Sequence, residues 1–330
     1  MTLEMAIAVA GLGAGVWTLR LLSHLAILHG LKAPRVPHGD GISTLGLPDD
    51  RLLTLQVPGP GGRRLAAWLA LPEEVSPAGA PAVLAMHGWG ANASMMGAVI
   101  APLVDAGMAV LLLDARCHGK SDDESFTSLP RFAEDIEAGL RWLRERRDID
   151  SSRMALLGHS VGAAAALLQA SRCSAELPVR AVVSVSAFAH PDEVMRRWLA
   201  EHHLPYTVIG WYVLRYVQRV IGARFDDIAP IHTVAQVTCP VLLVHGRDDT
   251  IVPLDDALRL QRSAQKAELL VIEGGHDLRE TLTPHAPEIV DFLRRSLAHP
   301  ESRIPRPAED AQNGTCAAPE LFENGAHEQT

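Results

Sequence analysis

Three residue types that together perform acyl transfer occur in this chain: a serine within Gly158-His159-Ser160-Val161-Gly162, a histidine after Glu273-Gly274-Gly275, and the adjacent aspartates Asp248 and Asp249 after His245-Gly246-Arg247. A serine hydroxyl attacks a carbonyl when a neighbouring base takes its proton, and the base works when a carboxylate holds it in one tautomer. Ser160, His276 and one of the two aspartates supply those roles. The apolar run Ala155-Leu156-Leu157 precedes the serine and an alanine-rich stretch follows it. This pattern reads as strand, sharp turn and helix, which strains the serine backbone and demands minimal side chains at Gly158 and Gly162.

The elements that must hold these residues are legible as short apolar runs, each followed by turn residues and a helix-like pattern. They are Ala82 to Met86, Met108 to Leu113, Arg153 to Leu157, Ala181 to Val185, Val241 to Val244 and Leu269 to Ile272. Such runs suit parallel strands buried on both faces. Leu52 to Val57 and Arg64 to Leu71 flank Pro58-Gly59-Pro60-Gly61-Gly62, a hairpin signature. Together they predict an α/β fold with an eight-stranded, mostly parallel sheet covered by helices on both faces. Ligands of such sheets bind at the carboxyl ends of the strands. The residues just after each run are therefore the ones to inspect: His87 to Asn92, Asp114 to Ser121, the serine turn, His245 to Pro253, and Glu273 to Asp277.

A nucleophile, an acid and a histidine at successive strand ends, in the order Ser, Asp, His, resemble the α/β-hydrolase fold over roughly residues 52–297. Similar hydrolases carry His-Gly-x-x-Asp-x-x-Val-Pro, which selects Asp249 and leaves Asp248 as a turn residue. The resemblance places oxyanion-binding N–H groups at Trp89 and Val161, with His87 and Gly88 shaping the first of those loops. The Asp114 to Ser121 segment resembles the family's Asp-x-Arg-Gly-His-Gly-x-Ser turn, with Cys117 where glycine is usual. Asp114, Arg116 and His118 then read as structural, and Cys117 as a packed thiol. The implied activity is a serine hydrolase of carboxylesterase type on a small-molecule acyl substrate. Lipase, thioesterase and peptidase are alternatives on the same scaffold, and a non-catalytic membrane-tethered interaction protein is the alternative of another class.

Residues 187–237 are longer than one crossover helix requires and predict a helical cap. All three tyrosines of the protein lie there. Trp198, Tyr206, Trp211 and Tyr212 are the expected substrate-binding aromatics. The net charge of -9 argues against a nucleic-acid partner. Four separated cysteines form neither a disulfide framework nor a metal-like spacing, and no cofactor or metal motif is present.

Residues 1–31 form an apolar head whose uncharged run, Met5 to Leu19, falls short of the roughly 20 residues that span a bilayer. If Arg20 snorkels, the pattern continues through Leu28 and the length suffices. The head therefore either spans a membrane or docks on the body. In the first case Lys32, Arg35, Arg51, Arg63 and Arg64 predict a cytoplasmic catalytic domain, and in the second the protein is soluble and cytoplasmic. Residues 32–50 read as a linker, 51–299 as the hydrolase domain, and 300–330 as a flexible acidic tail.

Overall fold

Runs rich in Val, Leu and Ala pair into one sheet, because a strand covered on both faces needs no polar alternation. The computed structural model describes residues 2–39, 47–48, 51–277 and 281–298. Its strands are β1 (Leu52–Pro58), β2 (Arg64–Ala70), β3 (Ala80–Met86), β4 (Ala109–Leu113), β5 (Ile149–His159), β6 (Ala181–Val185), β7 (Val241–Gly246) and β8 (Ala267–Ile272). The α-helices are α1 (Leu3–Gly30), α2 (Ile100–Asp105), α3 (Leu129–Arg144), α4 (Val161–Ser171), α5 (Pro191–Glu201), α6 (Trp211–Ile221), α7 (Phe225–Ile228), α8 (Pro230–Thr233), α9 (Leu254–Ser263) and α10 (Ala286–Leu297).

The eight strands run in the order β1-β2-β4-β3-β5-β6-β7-β8. β2 is antiparallel to both β1 and β4, and every other neighbouring pair is parallel. The exchange of β3 and β4 sets β3 beside β5, with Met86 level with Gly158. The loops after these two strands therefore emerge side by side.

Alternate strand residues feed two cores. Leu84, Met86, Leu111, Leu113 and Leu156 pack with α3 and α4 on one face. Val83, Ala85, Val110, Leu112 and Leu157 pack with α2 and α10 on the other. Phe132 of α3 and Phe292 of α10 are the largest fully buried side chains, one in each layer. Burying a side chain of that size stabilises the fold by about 1.5–3 kcal/mol.

Between β6 and β7 lie α5, a one-turn π-helix at Tyr206–Gly210, α6, α7 and α8. This is the expected insertion. Residues Met1–Leu297 form one compact unit. The flexible tail expected at 300–330 lies outside the described residues, as do 40–46 and 49–50 of the expected linker.

The described part of that linker makes specific contacts with the body. Residues 33–38 form a strap across the loops after β3 and β4. Thr127 N–H donates to the Leu31 carbonyl at 3.0 Å, Asn92 Nδ2 donates to the Val36 and Pro37 carbonyls, and Arg35 reaches the Gly119 and Ser121 carbonyls and Asp123. An extended strap of this kind satisfies its backbone through side chains from elsewhere in the chain, which no local pattern reveals.

α1 divides in two. Every described side chain from Glu4 to Leu22 is exposed, whereas Ser23, His24, Ile27 and Leu28 are partly buried. The span Gly11–Gly30 is 20 residues with mean hydropathy 1.3. The last turns dock on the cap: His24 stacks on Tyr216 with ring centres 3.8 Å apart and shares a 2.7 Å hydrogen bond with the Tyr212 hydroxyl.

Candidate active site

β5 ends in the turn that the glycines permit. Ser160 has φ 53° and ψ -116°, left-handed territory that a side chain rarely enters, and its N–H is held by the Val185 carbonyl at 2.8 Å. A Cβ on Gly162 would stand 2.3 Å from the His87 carbonyl oxygen, and one on Gly158 would stand 2.4 Å from the Gly162 carbonyl oxygen. No side chain fits at either position. The close approach presses the elbow against the loop after β3, and α4 starts at Val161 with its first N–H groups lacking intrahelical acceptors.

His276 Nε2 lies 3.0 Å from Ser160 Oγ and its Nδ1 lies 2.8 Å from Asp249 Oδ2. The other carboxylate oxygen of Asp249 accepts the N–H groups of Ile251 at 2.9 Å and Val252 at 2.8 Å. Burial pushes the Asp249 carboxyl up, but the hydrogen bonds from His276 and Val252 and the nearby imidazoles outweigh it and hold the group below the usual range. An ionised Asp249 can only accept, so Nδ1 carries the proton and Nε2 is free to take one from serine. Asp248 is exposed, and its N–H bonds to the Gly274 carbonyl. The structure thus brings Ser160, His276 and Asp249 together and leaves Asp248 outside. His159 adds a support with no sequence signal: its Nε2 lies 2.9 Å from the His276 carbonyl oxygen.

The loop carrying Trp89 is tied down from four directions. His87 Nε2 accepts the Ala115 N–H at 3.0 Å, so its Nδ1 donates to the Gly88 carbonyl at 2.7 Å. His118 Nε2 accepts the Gly90 N–H at 3.2 Å. Asp114 accepts the Ala93 N–H at 2.8 Å and the Lys120 N–H at 2.7 Å, and the strap holds Asn92. Burial, reinforced by His118, lowers His87 to about 3, so it is a neutral strut. Cys117 keeps the left-handed geometry of the glycine it replaces, with φ 65°. Its buried thiol is pushed up in pKa and accepts the Glu124 N–H, as a packed rather than a reactive sulfur does.

Burial also pushes Asp114 up to about 6, against its two backbone donors. The folded state therefore binds this proton before the unfolded chain does. The stabilisation is full below the unfolded value and is lost as pH rises through the folded one, an effect of about 3 kcal/mol. Carboxyl-carbon NMR should show Asp114 titrating with a midpoint near pH 6. A midpoint under 4 would mean that the N–H donors dominate.

A cavity of about 260 Å³ opens at Ser160, walled by Trp89, Met95, Met96, Val99, Val185 and Leu282 among others. None of the four expected cap aromatics lines it. Tyr206 takes a hydrogen bond from Arg196 beneath that guanidinium, and Trp198 stacks on His202. Tyr212 turns to His24, and Trp211 is 58% exposed. Tyr206, Trp198 and Tyr212 are engaged within the cap or against α1, and Trp211 faces outward. The apolar wall comes instead from the 3-10 helix Ala93–Val99, whose adjacent methionines were the available sequence signal.

The family described as serine aminopeptidase, S33 matches residues 78–220. An uncharacterized protein of Mycobacterium tuberculosis is 31% identical over 238 residues, covering 72% of this chain and 75% of the relative. The chain belongs to the α/β-hydrolase superfamily. A lysophosphatidylserine lipase of Danio rerio is similar to this hydrolase at 26% identity over 248 residues, 66% of this chain and 59% of the lipase. An esterase of Pyrococcus furiosus superposes with a TM-score of 0.62 at 21% identity, covering 81% of this hydrolase and 100% of the esterase. Est1E of Butyrivibrio proteoclasticus, bound to ferulic acid, superposes at 0.61 with 22% identity over 74% of this chain and 100% of its own. The two structures share the fold of this hydrolase.

Proposed function

We propose that the protein is a membrane-anchored serine hydrolase that cleaves a carboxylic ester through an acyl-enzyme on Ser160. The observation that carries this reading is the continuous chain from Ser160 Oγ to His276 Nε2 at 3.0 Å and from His276 Nδ1 to Asp249 at 2.8 Å. His276 takes the serine proton as Oγ attacks the acyl carbon, then returns it to the departing alcohol. Water repeats the sequence on the acyl-enzyme, and Asp249 orients the imidazolium each time. The N–H groups of Val161 and Trp89 receive the oxyanion, on a loop pinned before the substrate arrives. The apolar wall from Met95 to Val99 suits an acyl chain, and the esterase and lipase relatives favour an ester over a peptide bond.

A fluorophosphonate probe should label the folded wild type and fail to label Ser160→Ala. Absence of labelling in folded wild type favours the non-catalytic interaction protein and sinks the enzyme. Hydrolysis of p-nitrophenyl esters of graded chain length, set beside aminoacyl anilides, then separates esterase from peptidase.

The membrane part rests on α1, a 28-residue helix long and apolar enough to cross a bilayer, whose described side chains from Glu4 to Leu22 are exposed. With Lys32, Arg35, Arg51, Arg63 and Arg64 following it, the catalytic body lies on the cytoplasmic side. Carbonate extraction should leave the full chain in the membrane fraction, and its release would reject the span.

A further inference from the structure

α6 presents three faces. Leu214 and Val217 enter the core, Tyr212 and Tyr216 meet α1, and Trp211, Arg215 and Arg219 form an exposed stripe at i, i+4 and i+8. Successive residues are about 100° apart on a helix, so the stripe lies next to the face that holds α1. Among the described residues, neither Arg215 nor Arg219 has an ion-pair partner, and α6 contains no acidic residue.

The length of α1 sets the level of this stripe. Every described side chain of the twenty residues from Leu3 to Leu22 is exposed, and burial begins at Ser23. Twenty residues rise about 30 Å, the thickness of the hydrocarbon core. If that part spans the bilayer, the junction of His24 with Tyr212 and Tyr216 stands at the headgroup layer and carries the stripe with it. Tryptophan is favoured at that depth, and unpaired arginines there attract phosphate.

We infer that the exposed stripe of α6 is a membrane-surface contact, with Trp211 entering the interface and Arg215 and Arg219 binding anionic phospholipid headgroups. The contact rests on the spanning reading of α1. It sets the cap on the bilayer and holds the Ser160 cavity at a fixed height above the lipid.

The test uses the full chain in a Trp17→Phe background, in nanodiscs of chain-brominated phosphatidylcholine with or without phosphatidylglycerol. The Trp211 signal is the difference from Trp211→Phe. It should be quenched in the anionic discs. Arg215→Gln with Arg219→Gln should lower the docked-to-free ratio roughly thirty-fold, about fivefold per charge, and abolish the quenching. Hydrolysis of a soluble p-nitrophenyl ester should stay unchanged. Unquenched Trp211 in anionic discs, or equal quenching in the arginine variant, overturns the contact. Carbonate extraction of the same proteins separates the two readings: retention with unquenched Trp211 sinks the surface contact alone, and release sinks the span together with the contact.

Discussion

Replacing His276 with alanine is expected to lower kcat on a p-nitrophenyl ester by about 10⁶-fold, with little change in KM. Nε2 at 3.0 Å from Ser160 Oγ is placed to take the proton that makes serine a nucleophile. Because the two act as a unit, Ser160→Ala should cost about as much, and the double variant hardly more. Asp249→Asn should be milder, about 10⁴-fold. An amide at that position can donate to Nδ1, which favours the tautomer with its proton on Nε2, the one that cannot accept from serine. Steady-state kinetics with circular dichroism as a folding check measures the series. A loss of tenfold or less at His276 would remove it from proton transfer. The residual rate of each variant reports what the pinned oxyanion loop and the apolar cavity supply alone.

The residues of that series were readable because each follows a buried strand, where an apolar run stops and polar chemistry begins. Local pattern suffices for β5 running into Ser160 and for β8 running into His276. It separated Asp249 from Asp248 only through family resemblance, since both stand on one turn. The structure shows the physical basis: Asp249 alone is buried and bonded to Ile251, Val252 and His276. The contacts of the strap at residues 33–38 are not readable locally because they come from Asn92 and Arg35 bonding across long sequence separations. The cap aromatics misled for a different reason. Composition says that apolar surface is concentrated over the sheet, but not which way a ring turns, and Tyr212 turns to His24. A helix expected either in the membrane or on the body docks on the body through its last turns and leaves every described side chain from Glu4 to Leu22 exposed.

Behind the loop struts lies a charge cluster on Arg116, whose carbonyl stands 3.0 Å from His118 Nδ1, and its loss should be a large stability effect. Arg116 is 4% exposed at its side chain and donates to Asp135 through both its backbone N–H and Nε, each at 2.8 Å. Its remaining donors reach Glu124 at 3.0 Å and Glu134 at 2.8 Å. Arg116→Ala leaves the wholly buried Asp135 carboxylate without its cation, which should cost about 3–5 kcal/mol in urea unfolding.

The pH dependence follows from the sign of the Asp135 shift. Burial, opposed by Arg116, pushes this carboxyl up to about 6 in the wild type, and removing the cation moves it higher. Protonated Asp135 needs no partner. The deficit of Arg116→Ala is therefore smallest below about pH 6, where Asp135 is protonated in both folded proteins, and grows as pH rises from there through the higher value of the variant. Replacing both groups, as Arg116→Met with Asp135→Leu, should recover most of the loss, because the penalty lies in the orphaned charge rather than in the missing attraction. A double variant no more stable than Arg116→Ala would instead show that the pair is needed to shape the turn from Asp114 to Ser121 that braces the oxyanion loop.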